Sequence, residues 1–269
     1  MSRASVIVSF YNKIDYLKLV LAGFEIQTEK DFEIIIADDG SNQSVVNRIQ
    51  NIFQNYSFRI KHIWQEDKGF RKNKILNKSI LAAESDYLIF IDGDCIPHSY
   101  FVEGHLVNSE KNKILTGRRV NLSEKISNQL TEEKIKQKYL EKNFSVLLFD
   151  GLFGKSYDVE KGIFTKNKFF LRLLNSKPRG ILGCNFSLFK DDILEINGFD
   201  ERYEAPSIGE DSDVQFRLEL IGKKIKSINH IAIQYHLHHK LQERPQKNLV
   251  LLEEIKRNKI YYTPFGLKK

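Results

Sequence analysis

The chain has only two cysteines in 269 residues, with one tryptophan, one methionine and five prolines. Cys95 and Cys184 stand in separate motifs with no CxxC or other metal-ligand spacing. That excludes a disulfide framework and a structural zinc site, and it fits a reducing compartment, with both side chains read as small buried fillers. No stretch reaches the ~18 uninterrupted apolar residues of a spanning helix. The opening MSRASVIVSFYNK lacks the apolar length and the small-residue cleavage site of a signal peptide. The expectation is therefore a cytoplasmic protein, soluble or resting on the inner face of the cytoplasmic membrane. No GxGxxG follows the first apolar run, which argues against a dinucleotide oxidoreductase, and no nucleic-acid reader motif is found.

What is present is enough apolar sequence for a core, 41% of the chain, and a net charge of +7. Most of the excess is local: from Lys155 to Arg179 there are seven basic residues and two acidic ones. The first third alternates short β-branched runs (ASVIVSF, FEIIIAD, RIKHIW, YLIFID) with helical stripes such as Leu17, Val20, Leu21 and Phe24. Helices are expected around 45–53 and 73–83. This order predicts an α/β fold, a single mixed, mostly parallel sheet flanked by helices, because parallel strands need crossovers and read as continuous apolar runs. Residues 1–269 read as one domain. Residues 124–177, rich in lysine, phenylalanine and leucine without a strand pattern, read as an irregular insertion or acceptor-side layer within it. GEDSDVQFRLELIG reads as a short helix, and KIKSINHIAIQYHLHH as one strand running into a histidine cluster.

The strand ends carry the chemistry. Ser9 and Tyr11 follow the first run, Asp38 and Asp39 the second, and YLIFIDGD stops on Asp92, Gly93 and Asp94. In an open α/β sheet the ligand crevice lies beyond the carboxyl ends of the strands. Two carboxylates around a glycine can hold Mg2+ or Mn2+ together with phosphate oxygens, although the tripeptide alone is equally a solvated turn. Glu210 and Asp211 before a helix, and the imidazoles of YHLHH, supply further carboxylates and metal ligands. A divalent cation beside an anionic leaving group, with a separate carboxylate to take a proton, points to group transfer.

SVIVSFYNK, QTEKDFEIIIADDGS and YLIFIDGD, followed by GCNFSLFKDDILEINGFDE, GEDSDVQFRL and YHLHH, resemble the GT-A fold glycosyltransferases of family 2. The C-terminal half is similar to galactosyltransferase-like members, including the bacterial chondroitin-polymerase type. The resemblance implies an inverting transfer of a hexose or N-acetylhexosamine from a UDP-sugar to a saccharide or lipid-linked saccharide acceptor. It places that reaction in the synthesis of a bacterial cell-surface polysaccharide, with Mn2+ or Mg2+ as cofactor. It assigns Ser9, Tyr11 and Asp39 to the base, Asp92 to the ribose, Asp94 and His236 to the metal, Asp211 to the general base and Glu210 to the place beside it. In WQEDKGFRKNKILN it assigns Arg71, and with less weight Asn77, to the nucleotide, the neighbouring lysines reading as a solvated helix start. Two rivals belong to other classes. A sugar-phosphate nucleotidyltransferase would show an early Gly-rich loop with a basic residue, which SVIVSFYNK lacks. A noncatalytic nucleotide- or glycan-binding module would not need Asp39, Asp92, Asp94 and Asp211 together. The basic, aromatic stretch KNKFFLRLLNSK reads either as a surface near anionic lipid or as a solvated face.

Overall fold

The computed structural model of the chain describes residues 2–177, 179–206, 209–240 and 246–268. Seven strands build the main sheet: β1 (Ala4–Phe10), β2 (Phe32–Asp38), β3 (Arg59–Trp64), β4 (Tyr87–Asp92), β6 (Lys113–Thr116), β8 (Asn185–Phe189) and β9 (Lys224–Ser227). Their order is β3-β2-β1-β4-β8-β6-β9. The first four are parallel; β8 runs antiparallel to both β4 and β6, and β9 parallel to β6. The expected mixed, mostly parallel sheet is thus the one observed.

Successive residues of the central strands enter different cores because side chains alternate across a strand. Val6, Val8, Ile34, Ile36, Ile89 and Ile91 face one layer, containing α1 (Ile14–Glu25) and α2 (Gln43–Ile52). Ile7, Ile35, Leu88 and Phe90 face the other, with α3 (Lys72–Ala82). Burial on both faces explains why these strands read as unbroken apolar runs. Register then aligns the polar ends: Ser9 pairs with Ala37 on one side and Asp92 on the other, and Phe10 pairs with Asp38.

A second, three-stranded sheet joins β5 (Cys95–Pro97), β10 (Gln234–His236) and β7 (Arg119–Asn121), with β10 in the middle. Residues 224–239 are therefore not one strand, as expected, but β9 and β10 in different sheets. The intervening Ile228, Ala232 and Ile233 are buried, and this is why the apolar run masks the break. Residues 124–177 also depart from the expected irregular layer. After α4 (Phe101–Asn108) they form α5 (Glu124–Asn128), α6 (Glu132–Lys136), α7 (Tyr139–Lys142), α8 (Phe144–Phe153) and α9 (Lys168–Leu174). Ser123, Thr131 and Asn167 cap three of them by accepting backbone N–H bonds. Helices of one to three turns are too short to print a periodicity. The chain continues with α10 (Lys190–Glu195), α11 (Glu210–Leu220), which packs Val214 and Leu218 under the sheet beside α3, and α12 (Lys247–Asn258). No helix among the described residues is long and apolar enough to cross a membrane.

Candidate active site at the strand ends

The turn after β4 is built for close approach. The Gly93 N–H donates to the Ser9 carbonyl at 2.7 Å, and a Cβ on Gly93 would stand 2.9 Å from that oxygen. A side chain here would push β4 away from β1. Beyond the glycine, β10 delivers the histidines: His236 pairs with Cys95 in the small sheet, and the Leu237 N–H donates to the Asp94 carbonyl at 2.9 Å. The His236 and His239 Nε2 atoms lie 3.1 Å apart, at 3.6 and 3.3 Å from the two Asp94 carboxylate oxygens.

These three side chains fit a hard divalent cation. Neighbouring ligands on an octahedral ion at about 2.1 Å stand about 3.0 Å from one another, close to the spacing of this triangle. The His239 Nδ1 lies 2.9 Å from the Lys240 carbonyl; donating there fixes the tautomer that leaves Nε2 free to ligate. Burial works against the Asp94 charge, but hydrogen bonds to His236 and His239 outweigh it and hold this carboxyl far below the usual carboxylate range. The same bond to Asp94 raises the His239 imidazole. His238 is exposed and held by its backbone: its N–H donates to Ser127 and its carbonyl accepts from the Tyr16 hydroxyl.

Cys95 also brings a ligand atom within 4.8 Å of Asp94 and His236. Burial pushes its thiol pKa well up, so it presents a neutral sulfur, a poor partner for an oxygen-preferring ion. The Cys95 thiol donates to Asp94 Oδ1 at 3.5 Å. Gln234 Nε2 and Arg119 Nη1 reach the Cys184 sulfur at 3.0 and 3.4 Å. Burial opposes the Arg119 charge but is outweighed by the anionic groups around it, Asp92 and Asp94 among them, so this guanidinium stays cationic beside the aspartates.

Asp92 is not solvent-facing on its own. The Lys72 Nζ sits 3.0 Å from Asp92 Oδ1 and 3.1 Å from Glu210 Oε1, largely buried between them. This corrects the reading of the local lysines as a solvated helix start. Burial disfavours the Lys72 charge, and the two carboxylates more than restore it. Burial raises the Glu210 carboxyl, with Asp211 and Asp92 adding to it and Lys72 offsetting part. Its second oxygen is buried and has no hydrogen-bond partner among the described residues.

Asp211 stands in the first turn of α11, whose N-cap Gly209 has φ +101°. The Asp211 carboxylate accepts from the Gly183 N–H at 3.1 Å and the Ser212 N–H at 2.7 Å. Among the described residues it makes no ion pair with a lysine or arginine.

At the far side Asp39 is 91% buried. Its oxygens accept from Gln65 Nε2 at 2.6 Å and from the Arg71 backbone N–H at 2.8 Å. Burial raises its pKa in spite of these bonds. The Tyr11 hydroxyl donates to Asp67 at 2.9 Å. Arg71 therefore meets Asp39 through its backbone, while its guanidinium donates to the Glu66 carbonyl. Asn77 is removed from the site: it clamps the backbone of Phe199. Ser9, Asp39, Asp92, Asp94, Glu210, Asp211 and His236 are brought to one edge of the sheet. His239, a weaker candidate of the YHLHH cluster, joins them, as do Lys72 and Arg119, which were not singled out. Only the density of cations near WQEDKGFRKNKILN and in GRRVN hinted at the last two.

Residues 5–164 match glycosyl transferase family 2, and residues 172–240 match the N-terminal domain of galactosyltransferase. Among curated proteins, chondroitin synthase from Escherichia coli is 27% identical over 90% of this chain and 35% of its own length. Hyaluronan synthase from Pasteurella multocida is 27% identical over 90% of this chain and 25% of its own length. The chain thus spans about a third or less of these relatives. Among solved structures, S. aureus TarS 1-349 in complex with UDP-GlcNAc superposes with a TM-score of 0.57 at 14% identity, covering 89% of this chain and 60% of that one. The mannosyltransferase PcManGT from Pyrobaculum calidifontis, in complex with GDP-Man and Mn2+, gives 0.54 at 13% identity, covering 89% and 58%. The first family match alone spans more than half of the residues in which this sheet and its strand-end carboxylates lie, and the chain belongs to glycosyl transferase family 2, on a GT-A fold with a galactosyltransferase-like C-terminal half.

Proposed function

We propose that the chain is one metal-dependent, inverting glycosyltransferase domain that moves a hexose or N-acetylhexosamine from a UDP-sugar to a hydroxyl of a saccharide or lipid-linked saccharide acceptor. The setting is the cytoplasmic synthesis of a bacterial cell-surface polysaccharide. The observation that carries this reading is the triangle of Asp94, His236 and His239 at the strand ends. Residues 124–177 form the acceptor-side layer. The galactosyltransferase likeness favours UDP-galactose, UDP-N-acetylgalactosamine or a related UDP-hexose, and the UDP-GlcNAc and GDP-Man held by the solved neighbours support a nucleotide-sugar donor.

Asp94, His236 and His239 would hold the Mn2+ or Mg2+ ion, whose contribution is positive charge at the donor diphosphate. Ser9, Tyr11 and Asp39 receive the base, Arg71 fixes Asp39 from its backbone, and Asp92 meets the ribose. Arg119, cationic and beside the aspartates, offsets the charge that grows on the departing UDP. Asp211 accepts the proton of the acceptor hydroxyl. The acceptor oxygen forms its bond to the anomeric carbon as the bond to UDP breaks, and a single displacement inverts that centre. Glu210, held by Lys72, orients the sugar or acceptor beside it. Freedom from a cationic partner is what Asp211 needs to act as base.

The test is a donor panel with Mn2+ and candidate glycan acceptors, scoring nucleoside diphosphate release by the parent, Asp94→Ala and Asp211→Asn proteins. UDP release from one donor, lost in both variants, is expected. UDP binding with no release from any donor would favour the noncatalytic binding module instead.

A further inference from the structure

Two of the short helices between β7 and β8 turn an apolar stripe to solvent. On α8, Leu148, Phe149, Leu152 and Phe153 lie on one face, with Leu152 77% and Phe153 75% exposed. On α9, Phe169, Phe170, Leu173 and Leu174 repeat the same spacing with Phe169 73% exposed, and no residue of that helix is buried. Spacing i, i+1, i+4, i+5 is one stripe of a 3.6-residue helix. Eight large apolar side chains in two matching stripes exceed the scattered exposure that any surface tolerates, and such concentration marks a contact.

The charge beside the stripes says what kind. Lys168 and Arg172 lie one turn apart along the flank of the α9 stripe, and Lys155 follows α8; all three are exposed and make no ion pair among the described residues. The inner sides of the helices are fixed: Leu147 is buried, Asp150 accepts from Ser156, and Asn175 bonds the backbone of Asn229. The stripes are therefore turned outward by the fold. A second copy of the same face would bring these cations against one another. An anionic lipid surface accepts both features, apolar side chains among the acyl chains and cations among the headgroups.

We infer that the α8 and α9 stripes seat the protein on an anionic phospholipid surface, as a peripheral contact, since no described helix spans a membrane. The inference adds a place of work to the proposed transfer and is tested without it. Purified full-length protein is centrifuged with sucrose-loaded vesicles of phosphatidylcholine alone or mixed with phosphatidylglycerol, with no donor present. The variants Phe149→Ser/Phe153→Ser, Phe169→Ser/Leu173→Ser and Lys168→Glu/Arg172→Glu change exposed side chains only, and circular dichroism checks their fold. The parent is expected to partition onto phosphatidylglycerol vesicles at least about tenfold better than onto phosphatidylcholine, and less well in high salt. Each variant is expected to lose most of that preference while keeping the parent's circular dichroism. Variants that bind as the parent does would overturn the assignment. So would a parent that ignores the vesicles, including one that sediments as a dimer which the same substitutions dissociate. Vesicle binding with no transfer from any donor would keep this inference and sink the proposed reaction.

Discussion

His238 and His239 are neighbours in sequence with opposite surroundings. Only His239 turns its Nε2 toward Asp94 and His236, while His238 is held by its backbone. His239→Ala is expected to weaken Mn2+ binding at least about tenfold, since even outer-shell changes cost 10–100-fold; His238→Ala is expected to leave it unchanged. Calorimetric titration of Mn2+ into each protein decides, and equal affinities would remove His239 from the set. Lys72 carries a second prediction. Lys72→Met strands Asp92 and Glu210 without their shared cation, and breaking a buried pair from one side costs about 3–5 kcal/mol. Urea denaturation is the measure; a loss under about 1 kcal/mol would show that water already screens the pair. Asp94 was legible because a strand-end carboxylate has few structural uses, and Asp211 through the resemblance carried by GEDSDVQFRL. Lys72 was not, because a lysine at a helix start is usually solvated, and only the fold closes α11 over it.

The helix that presents Glu210 and Asp211 depends on the residue before it. Gly209 has φ +101°, and a Cβ there would meet the Tyr203 ring at 2.5 Å. Gly222, past the end of the same helix, has φ +83° with nothing within 4 Å of an added Cβ. Gly222→Ala is therefore expected to cost only left-handed strain, about 1–2 kcal/mol, with turnover intact. Gly209→Ala adds a clash and displaces the first turn of α11, so its turnover falls further than its UDP affinity. Parallel kinetics and UDP titration separate the two effects, and equal turnover in both variants would refute the positioning role of this turn. The long elements, β1 to β4 and α1 to α3, were readable because each buries a continuous run or a clear stripe. The small sheet was not, since β5, β7 and β10 have three residues each and depend on partners up to 141 positions away. It is this sheet that carries His236 to Asp94, so the least legible element completes the triangle proposed to hold the metal.

Across the whole molecule, two buried histidines tie layers together. His105 on α4 meets Ser187 Oγ at 2.8 Å and Asn185 Oδ1 at 3.2 Å, joining that helix to β8. His98, after β5, stacks on Phe164 from the segment before α9 and lies 3.5 Å from Glu141 on α7. Burial lowers both imidazoles, His98 to about 4 against the partial help of Glu141, and His105 to about 3. A histidine depressed in the folded state contributes nothing adverse above the unfolded value near 6.5. As pH falls below that value the unfolded chain takes up the proton and the folded one does not, so stability drops. Between about pH 7 and about pH 5 this amounts to about 2 kcal/mol for each histidine. Carboxylates held low, such as Asp94 and Asp200, lose their contribution only in the range below about pH 4. Asp39, Glu210 and Asp213, held high by burial, act in the opposite sense. The comparison must therefore be one of slopes. His105→Gln keeps a polar group toward Ser187 and Asn185 but cannot titrate, so its urea midpoint is expected to fall less than the parent's between the two pH values, by about 2 kcal/mol in stability. Parallel slopes would mean that His105 takes its proton within the folded protein, and that α4 is less firmly sealed against β8 than its burial implies.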